Sequence, residues 1–174
     1  METIQQTFDL TIAQLIPLLL FQVLTLIGYG VFLSVRGIDL PQPSLSETYY
    51  QLKPYGQEWV FLLFMFLVGL PLLFFQSPWF FMAGGMFTAV GVAAKFKDTW
   101  SSTDEVHYVA ATSGIFLSMI GLLSWGVVWP FLLWGIGALS LYILEQKNTI
   151  WWVEMIAIGC IIGGIIDKMY RMLG

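Results

Sequence analysis

Charged residues are scarce in this sequence. Only 10% of its 174 residues are Asp, Glu, Lys or Arg, whereas 58% are hydrophobic, and the mean hydropathy is +0.80. A water-soluble domain carries charge on roughly a quarter of its residues. The composition therefore excludes a soluble globular domain, and repeated apolar stretches near bilayer length predict an all-α integral membrane protein with a polytopic helical bundle.

Cysteine, histidine and clusters of basic residues are also rare. The single cysteine, Cys160, excludes an internal disulfide and any zinc site built from cysteines. The single histidine, His107, cannot supply the three-histidine set of a catalytic zinc. The net charge is −4, and the seven Lys and Arg form no polybasic run. These features predict no nucleic-acid partner, and the residues themselves predict no resident metal or other cofactor.

Six long apolar stretches predict six transmembrane helices in a single domain covering residues 1–174. A helical span needs about 20 apolar residues, so the chain has room for six spans and little else. The predicted spans are about 10–33, 59–75, 79–94, 106–127, 129–144 and 150–166. Tryptophans stand at the predicted span ends, where an amphipathic ring lies best at the lipid headgroups. They are Trp59, Trp79, Trp129, Trp151 and Trp152.

The basic residues predict the orientation of the spans. Five of the seven lie in the first, third and fifth connections: Arg36, Lys53, Lys95, Lys97 and Lys147. The positive-inside rule therefore predicts that these connections are cytoplasmic and that both termini lie on the non-cytoplasmic side. Lys168 and Arg171, after the last span, are the exceptions.

Polar side chains gather at the predicted cytoplasmic ends of the spans, and the other face is nearly bare. Because unpaired polar groups are costly to bury in a membrane, we expect any functional site at the cytoplasmic side; ordinary loop polarity is the alternative. The candidate polar cluster comprises Arg36, Ser44, Glu47, Tyr50 and Asp98.

His107 and Asp104 form a second candidate group at the start of the fourth span. Asp104 precedes His107 by three positions, which is one helical turn, so its carboxylate can hold the imidazole in one tautomer. A general base or a metal ligand needs such an arrangement. The structural alternative is an interfacial histidine in the first turn of its own helix.

The segment after the first span predicts a short helix. Ser46 is expected to cap a helix whose first turn includes Glu47, with Pro43 at the start of the segment. The adjacent Tyr49 and Tyr50 are then expected to anchor at the lipid headgroups. A lid or a lipid-headgroup contact above the cytoplasmic opening is the functional alternative.

Small residues and one acidic residue mark the later spans. Small residues four positions apart allow helices to approach closely, either within one chain or between chains. The glycines concerned are Gly84, Gly114, Gly159 and Gly163. Glu154 lies about one turn inside the membrane in the sixth span. It either pairs with a neighbour or belongs to a functional site.

Three short motifs and one glycine carry a resemblance to a known group of proteins. They are Pro-Ser-x-Ser-x-x-Tyr-Tyr at 43–50, Gly84, Gly91-Val92-Ala93, and His107-x-x-x-Ala111. This region, about 43–116, resembles small bacterial multi-pass membrane proteins of unknown function, which are distantly similar to the CREST superfamily. That superfamily includes alkaline ceramidases and progestin/adiponectin-type receptors. The resemblance implies a location in the bacterial cytoplasmic membrane.

The same resemblance implies a lipid-directed hydrolase that uses zinc. Ser46, Asp104 and His107 are the positions that match part of its catalytic set. The further histidines that those enzymes carry near the C-terminus are absent here, and the sixth span has Glu154 instead. Six spans are predicted where the enzymes have seven.

Three functions remain open. Because the catalytic set is incomplete, the sequence favours a non-catalytic membrane component that acts through membrane lipids or protein contacts, as a homo-oligomer or with a membrane-protein partner. The second is the CREST-like hydrolase, the only one that calls for zinc. The third is a small channel or transporter with Glu154 along its path, although the sequence lacks the inverted repeats common in transporters.

Overall fold

The computed structural model describes residues 11–96 and 103–173, without the side chains of 95, 96 and 103–105. The described residues form seven α-helices and one 3-10 turn, Lys53–Tyr55, and contain no strand. The prediction of an all-α fold is confirmed. The helices are α1 (Ile12–Val35), α2 (Glu47–Leu52), α3 (Trp59–Leu73), α4 (Pro78–Phe96), α5 (Thr103–Ser124), α6 (Trp129–Ile143) and α7 (Thr149–Arg171).

Three helices are long and apolar enough to cross a membrane. They are Ile12–Val35, Val106–Ser124 and Thr149–Arg171. Three shorter apolar helices accompany them, over Trp59–Leu73, Pro78–Ala94 and Trp129–Ile143. One helix thus occupies each of the six stretches that the sequence predicts as spans. The three long apolar helices are consistent with a membrane protein.

The connections between helices lie at two ends of the bundle. At one end, named here the Asn148 end, Asn148 Nδ2 donates a hydrogen bond of 2.9 Å to Pro41 O and joins the α6–α7 connection to the α1–α2 connection. At the opposite end, named the Trp125 end, the Trp125 ring centroid lies 5.9 Å from that of Phe75 and 4.7 Å from that of Phe80. The α3–α4 and α5–α6 connections therefore meet at the Trp125 end.

The C-terminal end of α7 also lies at the Trp125 end. Arg171 Nη1 donates to Gly126 O at 3.2 Å, and Trp129 Nε1 donates to Asp167 Oδ2 at 3.1 Å. Arg171 forms an ion pair of 2.8 Å with Asp167 one turn earlier in the same helix. Helix α7 therefore runs the full distance from the Asn148 end to the Trp125 end.

Glycines set the spacing of neighbouring helices. A Cβ atom at Gly84 in α4 would lie 2.6 Å from Gly69 O in α3, so these two backbones are in direct contact. Added Cβ atoms at Gly114 and Gly163 would lie 3.1 Å from the Phe87 ring and 2.8 Å from the Trp129 ring. A Cβ at Gly159, by contrast, would meet nothing within 4 Å among the described residues, so its role in helix packing stays a prediction.

Helix α6 lies at the edge of the bundle, packed mainly on α7. Its Pro130 is buried, whereas Leu133, Ile136 and Leu139 are more than half exposed. Trp151, at the start of α7, is 6% exposed, so the prediction that it lies at the headgroups is wrong. Its ring is drawn into the bundle by packing that the sequence position alone does not specify.

Candidate functional site at the Asn148 end

The segment that contains α2 folds back into the Asn148 end of the bundle. Thr48 and Leu52 are fully buried, and Tyr49 is 4% exposed. The Tyr49 ring packs edge-on against Phe61 of α3, with centroids 6.1 Å apart. The expectation that Tyr49 anchors at the headgroups is therefore wrong, because α3 offers this ring an apolar site inside the protein.

Hydrogen bonds fasten this segment to α1. Thr48 Oγ1 donates to Leu45 O at 2.6 Å, so its remaining capacity is that of an acceptor. The Tyr29 hydroxyl lies 2.5 Å from Thr48 Oγ1 and therefore donates to it. The Tyr29 ring in turn stacks on Phe64 of α3, with centroids 3.9 Å apart. Aromatic stacking and a buried hydrogen bond thus hold α2 between α1 and α3.

Ser46 stands at the N-cap position of α2 but makes no capping hydrogen bond. Its φ and ψ of −69° and −20° are helical, whereas a capping residue usually has extended backbone. The prediction that the Ser46 side chain caps the helix is therefore wrong. Its Oγ lies 3.0 Å from Ser44 Oγ instead, and Ser46 is one of the residues lining an internal cavity.

Glu154 of α7 joins the same segment from the other side. Its Oε2 accepts a hydrogen bond of 2.6 Å from the backbone N–H of Leu45, a residue 109 positions earlier in the chain. The carboxyl group is half-buried in an otherwise apolar stretch of α7. This contact places the Glu154 carboxyl group directly beneath the chain segment that closes the Asn148 end.

A cavity of about 50 Å³ lies beneath the closing segment, between α1, α3, α4, α5 and α7. Its polar lining side chains are Gln22, Ser46 and Glu154, and the remaining wall is apolar, as at Phe87 and Ile161. Since one water needs about 10–15 Å³ on this scale, the cavity has room for about three to five water molecules. It is far smaller than a lipid acyl chain requires.

Gln22 is the lining residue that sequence reasoning missed. Its side chain is 3% exposed, and its Oε1 has no hydrogen-bond partner among the described residues. The signal was an amide within the apolar run of the first span, because polar side chains at membrane depth are rare and usually face a bundle interior. The Leu45 N–H could not have been found from the sequence, because every non-proline residue carries one.

Of the predicted Ser46–Asp104–His107 group, Ser46 lines the cavity, and His107 is not among its described lining residues. His107 lies on α5, half-buried, four residues before Ala111, which does line the cavity. The side chain of Asp104 lies outside the described residues, so its pairing with His107 stays a prediction. Within the described part of the chain, no group of three or more His, Cys, Asp and Glu side chains could hold a metal ion.

The predicted polar cluster is spread over the Asn148 end. Ser44 contacts Ser46, Glu47 is half-buried in the first turn of α2, and the Tyr50 ring meets Tyr49 edge-on at 5.2 Å. Arg36 is exposed at the end of α1, with its guanidinium carbon 5.6 Å from the centroid of the Phe32 ring. Asp98 lies outside the described residues.

No protein-family model, curated protein or solved structure matches this chain. The resemblance to the CREST superfamily and the zinc that it implies therefore stay predictions. What the structure adds is the small polar cavity and the segment that closes it.

Proposed function

We propose that the chain is an integral membrane protein with six membrane crossings, and that it is a non-catalytic component acting through contacts with lipid or with a membrane-protein partner. The positions of the connections support the first part. The exposed apolar face of α6 is the observation that carries the second.

The path of the chain between α5 and α7 supports a crossing by α6. Helix α5 ends beside Trp125, whereas α7 begins beside Pro41 at the opposite end. Because α6 alone joins the two, it must cross whenever α5 and α7 do. Helices α3 and α4 likewise meet at the Trp125 end, through Phe75 and Phe80.

The shorter helices are compatible with crossing. Helices α3 and α6 each have 15 residues, which is about 22 Å at 1.5 Å per residue, against about 30 Å of hydrocarbon. Apolar residues extend the path: Phe74 and Phe75 follow α3, and Val127 and Val128 precede α6. Local thinning of the bilayer accommodates a difference of this size at modest cost.

The outer face of α6 is a continuous apolar surface. Leu132, Ile136, Leu139 and Ile143 follow the spacing of one helical face and are between 56% and 68% exposed. In a membrane such a face is covered by lipid or by a partner helix. We therefore place the contact surface of the protein on α6.

Cysteine accessibility tests the six crossings. In a Cys160→Ala background, single cysteines are introduced at exposed positions of the two ends and treated with an impermeant maleimide in intact cells. Asp39→Cys and Lys147→Cys at the Asn148 end should react from one side, and Ser124→Cys and Leu173→Cys from the other. Labelling of positions 124 and 147 from the same side would refute a crossing by α6. The positive-inside rule predicts that the Asn148 end is the cytoplasmic one.

Native mass spectrometry of the protein released from nanodiscs tests the contact surface. We expect retained lipid or an oligomer of fixed stoichiometry, and Ile136→Asn should reduce whichever is found. Ile27→Asn makes the same change at an exposed position of α1 and should change neither. A lipid-free monomer for the unsubstituted chain would contradict action through this face.

A further inference from the structure

The cavity beneath α2 is lined in part by polar side chains, and the proposed contacts of α6 with lipid or protein do not involve it. Its three polar lining side chains, Gln22, Ser46 and Glu154, each offer an oxygen acceptor. The wall around them is apolar. A ligand in this cavity must therefore be small and must satisfy several oxygens at once.

The carboxylate of Glu154 sets the charge of that ligand. Within the described residues its hydrogen bond comes from the Leu45 N–H, and no Lys, Arg or His side chain pairs with it. A carboxylate in apolar surroundings is costly unless a positive charge compensates it. One carboxylate is matched by one positive charge, because a divalent ion would leave an excess charge in the cavity.

Gln22 provides an independent indication of a ligand. Only 3% of the residue is exposed, and its amide oxygen has no hydrogen-bond partner within the described part of the chain. Buried polar groups are almost always hydrogen-bonded or bound to an ion or water. An unpartnered amide oxygen at the wall of a cavity that also holds a carboxylate is a ready ligand for a hard cation, which prefers oxygen.

The volume limits the ligand further. About 50 Å³ accommodates an ion with one or two waters, and excludes an organic cation that carries a chain or ring. Carboxylate, amide and hydroxyl oxygens, together with such waters, can replace the hydration shell of a metal ion.

We propose that this cavity is a binding site for one small monovalent metal cation of about the size of sodium, held by Glu154, Gln22 and Ser46. The proposal is independent of the contact surface on α6. The hydroxyl of Ser46 can donate to Ser44 Oγ while its lone pair remains available to the ion. The Leu45 N–H orients the carboxylate by occupying its other oxygen.

Binding of radioactive sodium to the full chain in nanodiscs, with choline as the replacing cation, tests the proposal. We expect saturable binding of one ion per chain. Glu154→Gln keeps an acceptor for the Leu45 N–H and removes only the charge, and it should weaken binding about tenfold or more. Gln22→Leu should weaken binding as well. Glu145→Gln and Gln51→Leu make the same chemical changes at exposed positions and should bind as the unsubstituted chain does.

The result can overturn the proposal in two ways. The first is the absence of saturable binding of sodium or potassium up to about 0.15 M, the physiological ionic strength, which would mean that a proton or water satisfies the cavity. The second is equal binding by the Glu154→Gln and Glu145→Gln variants. Size-exclusion chromatography establishes that each variant is folded. If Glu154→Gln does not fold, Gln22→Leu decides: unchanged binding refutes the site, and weakened binding supports it.

Discussion

The contact between α3 and α4 at Gly69 and Gly84 leads to a sharp stability prediction. A Cβ at Gly84 would lie 2.6 Å from Gly69 O and 2.8 Å from a methyl carbon of Leu73. The first of these neighbours is backbone and cannot rotate away. The two helices therefore have to separate by several tenths of an ångström to admit an alanine. The neighbouring Gly85 has nothing within 4 Å of the corresponding position, so it provides a matched control.

The expected effect follows from the cost of overpacking. Forcing an extra carbon into a closely packed contact costs about 1–3 kcal/mol. For a chain of this size, 1 kcal/mol corresponds to about 2–4 °C in the melting temperature, so Gly84→Ala should lower it by about 2–12 °C. Gly85→Ala introduces no contact and improves helix propensity, so it should leave the melting temperature unchanged or slightly raised.

The two variants can be compared by tryptophan fluorescence during heating in one detergent at one scan rate, so that any irreversible step affects both alike. Gly69→Ala should behave as Gly84→Ala does, since each would contact the carbonyl oxygen of the other. Equal melting temperatures for Gly84→Ala and Gly85→Ala would refute the close backbone contact between α3 and α4.

Three further predictions concern single side chains. Tyr29→Phe removes the hydrogen bond to Thr48 and should cost about 1 kcal/mol, or about 2–4 °C, whereas Tyr142→Phe at an exposed position should cost nothing measurable by the same thermal assay. Cys160 is 3% exposed, so we expect its thiol to react with maleimide only after denaturation, as measured by the added mass in mass spectrometry. Rapid reaction of the folded protein would contradict the packing of α7. Arg171→Gln should change the melting temperature little at any salt concentration, because its ion pair is exposed and screened; a large decrease would show that its contacts at the Trp125 end matter more than their exposure suggests.

The positions of the helices were largely predictable from the sequence. Lipid offers no partner for backbone N–H and C=O groups, so long apolar stretches have to form helices. The predicted stretches 59–75 and 129–144 correspond to α3 and α6. The end of the last helix was less predictable, because α7 continues past the apolar stretch to Arg171, where Asp167 and Trp129 contribute side-chain contacts.

The candidate site was only partly predictable. Glu154 and Ser46 stood out as polar residues, and the structure places both at one cavity. Their grouping depends on a hydrogen bond between Leu45 and Glu154, which are 109 positions apart, and no local sequence pattern predicts a contact over such a separation. Tyr49 shows the same limit of sequence-based prediction. The sequence predicts a short helix here, but it does not decide whether the Tyr49 ring lies at the lipid headgroups or in the protein core. Packing against Phe61 decides between them.

The two ends of the bundle are closed by different parts of the chain, and this bears on how a cation could reach the cavity. The Trp125 end is closed by aromatic packing, as between Phe80 and Trp125, and by glycine contacts such as that of Gly121 with the Phe80 ring. Such packed contacts resist gradual deformation. The Asn148 end is closed by the short α2 segment, which the packing of Tyr49 on Phe61 and hydrogen bonds from Tyr29 and Glu154 hold in place. Because this segment lies directly over the cavity and one of its hydrogen bonds involves Glu154 itself, access to the cavity is expected from the Asn148 end.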